Sequence, residues 1–199
     1  MKKNLLGLAL GAALTAAPAS AATLYVGHGI PAEDGLPVDI CLVADGKATP
    51  LFTGVTFRAF ASVNDVLAVE HLDAGRYDVE VRKSNGSCTD TVYAAAWIFL
   101  GIGENATAFA HLTEQGTPTI TKYVNDFRAL GEGTTRIYAR HAASAGDVNV
   151  YLRKGYKRAF IRGLENPDQE GADLRAGKWF VGIYPAGSWK HPLFAAKLP

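Results

Sequence analysis

Apolar and polar residues alternate in short runs along most of this chain. In residues 77–82, for example, Tyr, Val and Val alternate with Asp, Glu and Arg. Runs of period two that are rich in β-branched and aromatic residues are typical of strands with one buried face. Gly, Pro and Asn separate these runs at intervals of roughly 8–12 residues, which is typical of a β-sandwich. The pattern therefore predicts an all-β fold.

The predicted strands are Thr23–His28, Val38–Val43, Phe52–Phe60, Val66–His71, Tyr77–Arg82, Thr91–Leu100, Ala106–Leu112, Thr117–Val124, Thr134–His141, Asp147–Arg153, Lys157–Ile161 and Lys178–Tyr184. The run Thr91–Leu100 is apolar almost throughout, so we expect it to be buried on both faces. Two short segments, Asn125–Leu130 and Asn166–Leu174, fit helices instead.

Three segments of the first half recur in the same order in the second half. The clearest is Leu72–Val81, whose sequence LDAGRYDVEV matches LRAGKWFVGI at Leu174–Ile183. The other matches pair Tyr25–His28 with Tyr138–His141 and Val38–Leu42 with Val148–Leu152. This repetition predicts two copies of one β-unit, a first over residues 22–126 and a second over residues 127–199. The second copy is truncated and lacks a counterpart of residues 91–124, so we expect it to dock on the first.

The N-terminal segment Met1–Ala21 has the pattern of a signal peptide. Two lysines precede the apolar core Leu5–Ala17, and residues 19–21 are Ala-Ser-Ala, which signal peptidase accepts. The apolar core is shorter than the roughly 20 residues that span a bilayer, so a membrane anchor is disfavoured. We expect cleavage after Ala21, or after Ala22 as second choice, and export to the bacterial periplasm or the medium.

The charge of the predicted mature chain excludes one class of partner. Without the two leader lysines, 18 basic residues stand against 19 acidic ones, which gives a net charge of −1. Binding to a phosphate backbone needs a basic patch, and the sequence has none, so nucleic acid is not expected as a partner. No later apolar run reaches about 18 residues, so we predict no membrane span in the mature chain.

Cys41 and Cys88 are the two cysteines of the chain. In an oxidising compartment such a pair predicts a disulfide. A metal site is disfavoured because the CxxC spacing of zinc sites is absent.

Two histidines, His28 and His141, end matching strands of the two copies. Each could ligate a metal or pair with a carboxylate such as Asp39. The interpretation that we favour is that each imidazole hydrogen-bonds backbone groups where the strand leaves its sheet. No cofactor is predicted.

Three aromatic residues, Trp179, Tyr184 and Trp189, lie close together near the C-terminus. They could form a platform for a sugar or a protein partner. The alternative, which we favour, is that they are core residues that cover the shortened second copy.

Four segments together resemble the DUF4397 family. In chain order they are Tyr25–His28, Pro37–Leu42, Leu51–Val55 and Leu72–Val81. The resemblance implies an exported bacterial or archaeal β-sandwich domain, often present in tandem and without an assigned activity. It implies no catalytic residues. Together with the strand pattern, it predicts an Ig-like or transthyretin-like β-sandwich followed by a second, shortened copy.

The sequence contains no motif of an assembled catalytic centre. Gly-x-Ser-x-Gly, Ser-x-x-Lys and His-Glu-x-x-His are all absent. We therefore predict a non-catalytic envelope protein that binds a protein or glycan partner through sheet edges or through Trp179, Tyr184 and Trp189. The alternative is a periplasmic metal-binding protein that uses His28 or His141.

Overall fold

The computed structural model describes residues 21–31, 37–67 and 72–198. It is 60% strand and 2% helix, so the all-β prediction is confirmed. The predicted signal peptide lies outside the described residues, except for Ala21. In the part of the chain that the structure describes, no helix is long and apolar enough to cross a bilayer.

The first half of the chain forms eight strands and one short helix. The strands are β1 (Thr23–His28), β2 (Val38–Ala44), β3 (Lys47–Val55), β4 (Phe60–Ser62), β5 (Gly75–Lys83), β6 (Val92–Leu100), β7 (Asn105–Leu112) and β8 (Pro118–Val124), and the helix is α1 (Val63–Leu67).

These strands form two four-stranded sheets that face each other across one core. One sheet has the order β4-β1-β7-β8 and the other the order β3-β2-β5-β6. All neighbouring strands are antiparallel except β1 and β7, which are parallel. The buried faces of both sheets meet in one apolar cluster that includes Leu24, Val26, Val79, Val81 and Leu100. The first unit is therefore a complete sandwich.

The second half of the chain forms six strands. They are β9 (Thr134–Arg140), β10 (Val148–Lys154), β11 (Lys157–Leu164), β12 (Gln169–Arg175), β13 (Trp179–Pro185) and β14 (Phe194–Leu198). A four-stranded sheet has the order β11-β10-β13-β14, and β12 and β9 form a two-stranded sheet. A separate apolar cluster that includes Val150, Leu152, Ile161 and Val181 lies between them.

Local sequence explains where several strands turn. Asp45 and Gly46 join β2 to β3 with φ angles of 50° and 73°. Both residues therefore adopt the left-handed conformation that a two-residue hairpin of type I′ requires, and Asp-Gly is a preferred pair for it. The turn matches the twist of the two strands that it connects.

Two of the strands predicted in the first unit are corrected by the structure. The predicted strand Phe52–Phe60 ends at Val55 and resumes as β4 after a turn at residues 57–58. The predicted strand Val66–His71 is wrong at its start, because Val66 and Leu67 close α1. Residues 68–71 lie outside the described residues.

The start of α1 has a side-chain explanation. The Ser62 hydroxyl accepts the Asp65 N–H, which is the pattern of a helix N-cap. The buried Asn64 side chain accepts the N–H of Leu24 and donates to the carbonyl of Ala22. These local hydrogen bonds favour a turn of helix over the extended chain that apolar patterning predicts.

The predicted burial of Thr91–Leu100 on both faces is wrong. In β6, Ala94 and Ile98 are buried, whereas Trp97 and Phe99 are 64% and 55% exposed. The strand lies at the edge of its sheet, and the Arg76 guanidinium lies over the exposed Trp97 ring, 5.7 Å from the ring centre. An apolar run alone does not distinguish a buried face from a solvent-facing one.

The second unit is less truncated than the sequence predicts. Its strand β14 pairs with β13 as β6 pairs with β5, and β12 pairs with β9 as β4 pairs with β1. The segment Asn166–Leu174, predicted as a helix, supplies most of β12, and Asn125–Leu130 has no regular structure. Among the described strands of the first unit, only β7 and β8 have no counterpart in the second unit.

Candidate partner-binding groove

Strand β9 has one edge that no described strand pairs. Its counterpart in the first unit, β1, is paired on one side with β4 and on the other with β7. Among the described strands, β9 is paired with β12 alone. No described strand therefore takes, beside β9, the position that β7 occupies beside β1.

Two hydrogen bonds at the ends of β9 show which backbone groups face this open edge. The His141 N–H donates to the Asp168 carbonyl at 3.0 Å, and the Gly133 carbonyl accepts from the Ala176 N–H at 2.8 Å. Odd-numbered residues therefore direct their N–H and C=O groups to the β12 side, and even-numbered residues direct theirs to the open edge.

Strand β1 of the first unit shows the same alternation, and both of its edges are paired, one with β4 and the other with β7. The His28 N–H donates toward β4, to Ala59 O at 3.0 Å, and the Gly29 N–H donates toward β7, to Ala110 O at 2.7 Å. In β9, the open edge thus presents the N–H and C=O groups of Arg136, Tyr138 and Arg140. These are the groups that an added strand would pair.

A cavity of about 990 Å³ lies beside this edge. We call it the groove. Its floor is the inner face of the four-stranded sheet of the second unit, and its lining there includes Val148, Val150, Leu152, Ile161, Val181 and Ile183. The volume is at the upper end of the range of small-molecule pockets, about 300–1,000 Å³.

Apolar side chains from both units also form the rim of the groove. Phe57 and Phe60 come from the first unit, and Leu193 and Phe194 come from the second. All four are exposed, with Leu193 at 62% and Phe60 at 57%. Exposed apolar side chains that gather around a concave surface mark interaction sites in soluble proteins.

Polar contacts join the two units next to the groove. The Arg140 guanidinium lies 4.8 Å from the centre of the Tyr123 ring and donates to Gln169 Oε1 at 2.7 Å. Burial raises the pKa of Tyr123 to about 12, although the charge of Arg140 acts in the opposite direction. The Asn166 side chain donates to the Leu112 carbonyl at 2.8 Å. The contacts of Arg140 with Tyr123 and of Asn166 with Leu112 join the second unit to β7 and β8.

The two predicted candidate histidines both line the groove. His141 Nε2 lies 3.0 Å from the Gly146 carbonyl, so its imidazole does contact a backbone group. The buried His28 ring has no hydrogen-bond partner among the described residues. Burial lowers the pKa of His28, which keeps the ring neutral. In the described ranges, no three His, Cys, Asp or Glu side chains gather as a metal site would require.

The three predicted aromatic residues do not form one surface. Trp179 is buried in the core of the second unit, where its indole N–H donates to the Arg175 carbonyl at 2.8 Å. Tyr184 and Trp189 do come together, with ring centres 5.4 Å apart, and Trp189 also meets the ring of Phe160 edge-on. Neither Tyr184 nor Trp189 lines the groove.

The predicted disulfide is present. Cys41 and Cys88 are bonded, with their Cα atoms 6.1 Å apart. It ties β2 to the loop that follows β5, in the first unit and away from the groove.

Two buried polar side chains, Asp39 and Asn149, make the same kind of hydrogen bond in the two units. The buried Asp39 carboxylate accepts the Gly54 N–H at 3.0 Å, and the buried Asn149 side chain accepts the Gly163 N–H at the same distance. Asp39 and Asn149 occupy matching positions in Val38–Leu42 and Val148–Leu152. The repeat itself was the signal that could have identified them.

These features define a class: an all-β protein with two related sets of strands, the second of which has, among the described strands, an unpaired edge above an apolar groove. The chain belongs to the family described as "Domain of unknown function (DUF4397)", whose sequence profile matches residues 22–151. No curated protein matches the chain.

Two solved structures are similar to the chain at low sequence identity. The TIE protein of Bacillus anthracis is 9% identical with a TM-score of 0.30, over 90% of this chain and 31% of that one. A DUF3823 family protein from Bacteroides ovatus is 14% identical with a TM-score of 0.25, over 82% of this chain and 90% of that one. The chain thus spans about a third of the length of the TIE protein.

Proposed function

We propose that this protein is a non-catalytic binding module of the bacterial envelope that holds a partner protein in the groove. The observation that carries the proposal is the groove itself, an apolar cavity of about 990 Å³ beside a strand edge that no described strand pairs. A cavity of this kind leaves apolar surface uncovered, and covering it with a partner is favourable.

The chemistry of the groove favours a protein over a glycan. Its lining is mostly aliphatic and aromatic, with polar side chains from His28, Arg58, Arg140, His141 and Ser144. A sugar needs many convergent hydrogen-bonding groups, whereas a protein segment can bring apolar side chains to the floor and backbone groups to the open edge of β9.

The same polar side chains support a non-catalytic role. The Ser144 hydroxyl donates to the Glu114 carbonyl at 3.0 Å rather than to a histidine. None of the described residues that line the groove is Asp or Glu. The described lining residues therefore do not bring together the nucleophile, base and carboxylate that acid–base and nucleophilic catalysis use.

The proposed location in the envelope has two supports. One is the signal-peptide pattern of residues 1–21. The other is the Cys41–Cys88 disulfide, because disulfides persist in oxidising compartments and are rare in the cytosol.

Site-specific photo-crosslinking in intact cells tests the proposal. A benzophenone amino acid would replace Leu193 at the rim of the groove, and a matched variant would carry it at Tyr156, which is fully exposed on the β10–β11 turn. We expect one protein adduct of discrete mass at position 193 and none at position 156. The absence of an adduct at position 193, or equal adducts at both positions, contradicts the proposal.

Metal binding is a second candidate, and one observation favours it. The His28 ring lines the groove and neither ring nitrogen contacts a described partner. Titration of the purified protein with Cu²⁺ and Zn²⁺ tests this. Stoichiometric binding that is lost in His28→Ala and His141→Ala supports the metal function, and unchanged binding in both variants contradicts it.

A further inference from the structure

We propose, as a deepening of the proposed function on which it rests, that the partner segment joins the second unit as an added strand. It would be extended, parallel to β9, and would take the place that β7 occupies beside β1. The pairing of β7 with β1 in the first unit is the template for this arrangement.

The register follows from the pairing of β1 with β7. Thr23 lies opposite Asn105 in this pair and His28 lies opposite Ala110, so six consecutive residues of each strand are paired. Because Tyr25–His28 matches Tyr138–His141, the added strand would lie opposite residues 136–141. Its N-terminal end would lie at Arg136 and its C-terminal end at His141.

The open backbone groups favour a peptide over an acyl chain. The N–H and C=O groups of Arg136, Tyr138 and Arg140 face the groove edge, and the described chain offers them no second strand. An acyl chain would cover the apolar floor and leave these polar groups unpaired in an apolar place, which is costly. A strand satisfies both requirements at once.

The side chains of β7 show which positions of the added strand must be apolar. Ala106, Ala108 and Ala110 face the core of the first unit and are almost completely buried. The equivalent positions beside β9 face a cavity of about 990 Å³, so they have room for Val, Leu or Ile. The intervening residues point the other way. The partner segment is therefore one in which larger apolar residues alternate with small polar ones.

The charge of the groove sets a second requirement. Its charged side chains are Arg58 and Arg140, and none of the described lining residues is acidic. Polar positions of the segment that are neutral or acidic fit this surface, whereas basic ones would meet like charge.

The test uses a synthetic probe and the full protein. The probe is a capped ten-residue peptide of alternating Val and Thr, and its control has the same composition with all valines in one block. Hydrogen exchange is followed by NMR. We expect the probe to slow exchange at the amides of Arg136, Tyr138 and Arg140 at least tenfold, and the control to leave it unchanged. An unchanged exchange rate with the probe overturns the inference.

A spin label determines the direction of the strand. With a nitroxide on the N-terminal end of the probe, we expect broadening of amide signals near Thr134 and Arg136. Broadening that is confined to the neighbourhood of His141 means antiparallel pairing and overturns the inference.

A pair of variants isolates the backbone contact. Proline is tolerated on an edge strand when its missing N–H faces outward, and the Tyr138 N–H does. Tyr138→Ala removes the side chain, and Tyr138→Pro removes the side chain and the N–H. We expect the proline variant to bind the probe at least tenfold more weakly than the alanine variant. Equal affinities overturn the inference.

The outcomes separate this inference from the proposed function. A protein adduct at position 193 without probe-induced protection of β9 overturns the added-strand inference but is consistent with the proposed binding module. No adduct at position 193 contradicts the binding module itself. An adduct with the mass of a lipid, or with the mass of two copies of this chain, contradicts the inference that a strand of a partner protein occupies the groove.

Discussion

The ring of Phe109 lies directly over Gly27 on the neighbouring parallel strand. A Cβ atom at Gly27 would be 2.4 Å from Phe109 Cδ2 and 3.1 Å from Phe60 Cδ2. Glycine is therefore required for two aromatic rings to cross β1. In the repeat, the position of Gly27 is occupied by Arg140. A strand beside β9 would thus carry a small residue, not phenylalanine, at the position opposite Arg140.

The contact between Gly27 and Phe109 gives the first prediction. Gly27→Ala forces the Phe109 ring to move in a packed site, which costs about 1–3 kcal/mol of unfolding free energy. Urea unfolding measures it. Gly131→Ala is the matched control, because a Cβ there meets nothing within 4 Å. Equal stability of the two variants contradicts the packing described here.

The disulfide gives the second prediction. The chain segment between Cys41 and Cys88 is long, so cross-linking it removes much entropy from the unfolded chain. The double variant Cys41→Ala/Cys88→Ala is expected to lose about 3–4 kcal/mol of unfolding free energy by the chain-entropy relation. A loss below about 1 kcal/mol in urea unfolding would show that this loop is already restrained in the unfolded state.

The hydrogen bonds of Asp39 give the third prediction. Besides the Gly54 N–H, its carboxylate accepts the Ser84 hydroxyl at 2.7 Å and the Gly86 N–H at 2.8 Å. Burial acts to raise the pKa of Asp39, but these hydrogen bonds outweigh it, so the pKa is lowered from its ordinary value.

A lowered carboxyl pKa stabilises the fold at neutral pH, and this stabilisation is lost as the pH falls below about 4. Asp39→Asn is expected to cost about 2 kcal/mol at pH 7, because the amide cannot accept the same donors. The difference between the two proteins should shrink in urea unfolding at pH 3. If the difference in unfolding free energy stayed constant from pH 7 to pH 3, the ionised form of Asp39 would not be the form that these donors stabilise.

The buried His28 gives the fourth prediction. Its pKa is lowered by burial, so below about pH 6.5 the unfolded chain binds a proton that the folded protein does not. Stability therefore falls as the pH drops from 6.5. The buried His111, whose pKa burial also lowers, adds to this loss. Between pH 7.5 and pH 5.5, the unfolding free energy of His28→Leu is expected to fall by about 1 kcal/mol less than that of the unsubstituted protein. Identical losses in calorimetry or urea unfolding would contradict a neutral, buried His28.

The sequence predicts the strand framework well because strands carry a local signal. The alternation in β5 and the turn at Asp45 and Gly46 depend on neighbouring residues, which a sequence shows directly. The repeat of Leu72–Val81 at Leu174–Ile183 likewise indicates two related units.

The sequence does not show which residues line the groove, because that depends on strands far apart in the chain. Leu193, Phe57 and Val150 come from distant parts of the chain, and all three line the groove beside the edge of β9 that no described strand pairs. The absence of a β7 counterpart was readable from the incomplete repeat. The sequence does not show that this missing strand exposes an apolar groove, because strand pairing determines which faces of β9 and β10 line it. Trp179 illustrates the same limit: its type fits a binding surface, whereas its position in β13 buries it.

The central claim is that the groove is a binding site rather than a packing defect. Ala139→Leu adds a larger side chain to β9 at a residue that lines the groove. Ala172→Leu is the control, because Ala172 packs on the same core cluster from β12 without lining the groove.

The most direct measurement is the yield of the photo-crosslinked adduct at position 193 in these two variants. Filling a cavity commonly raises stability by about 0.5–2 kcal/mol, so a loss of binding in Ala139→Leu is not expected to come from unfolding. We predict that Ala139→Leu lowers the yield at least tenfold and that Ala172→Leu leaves it unchanged. An undiminished yield in Ala139→Leu would contradict the groove as the binding site.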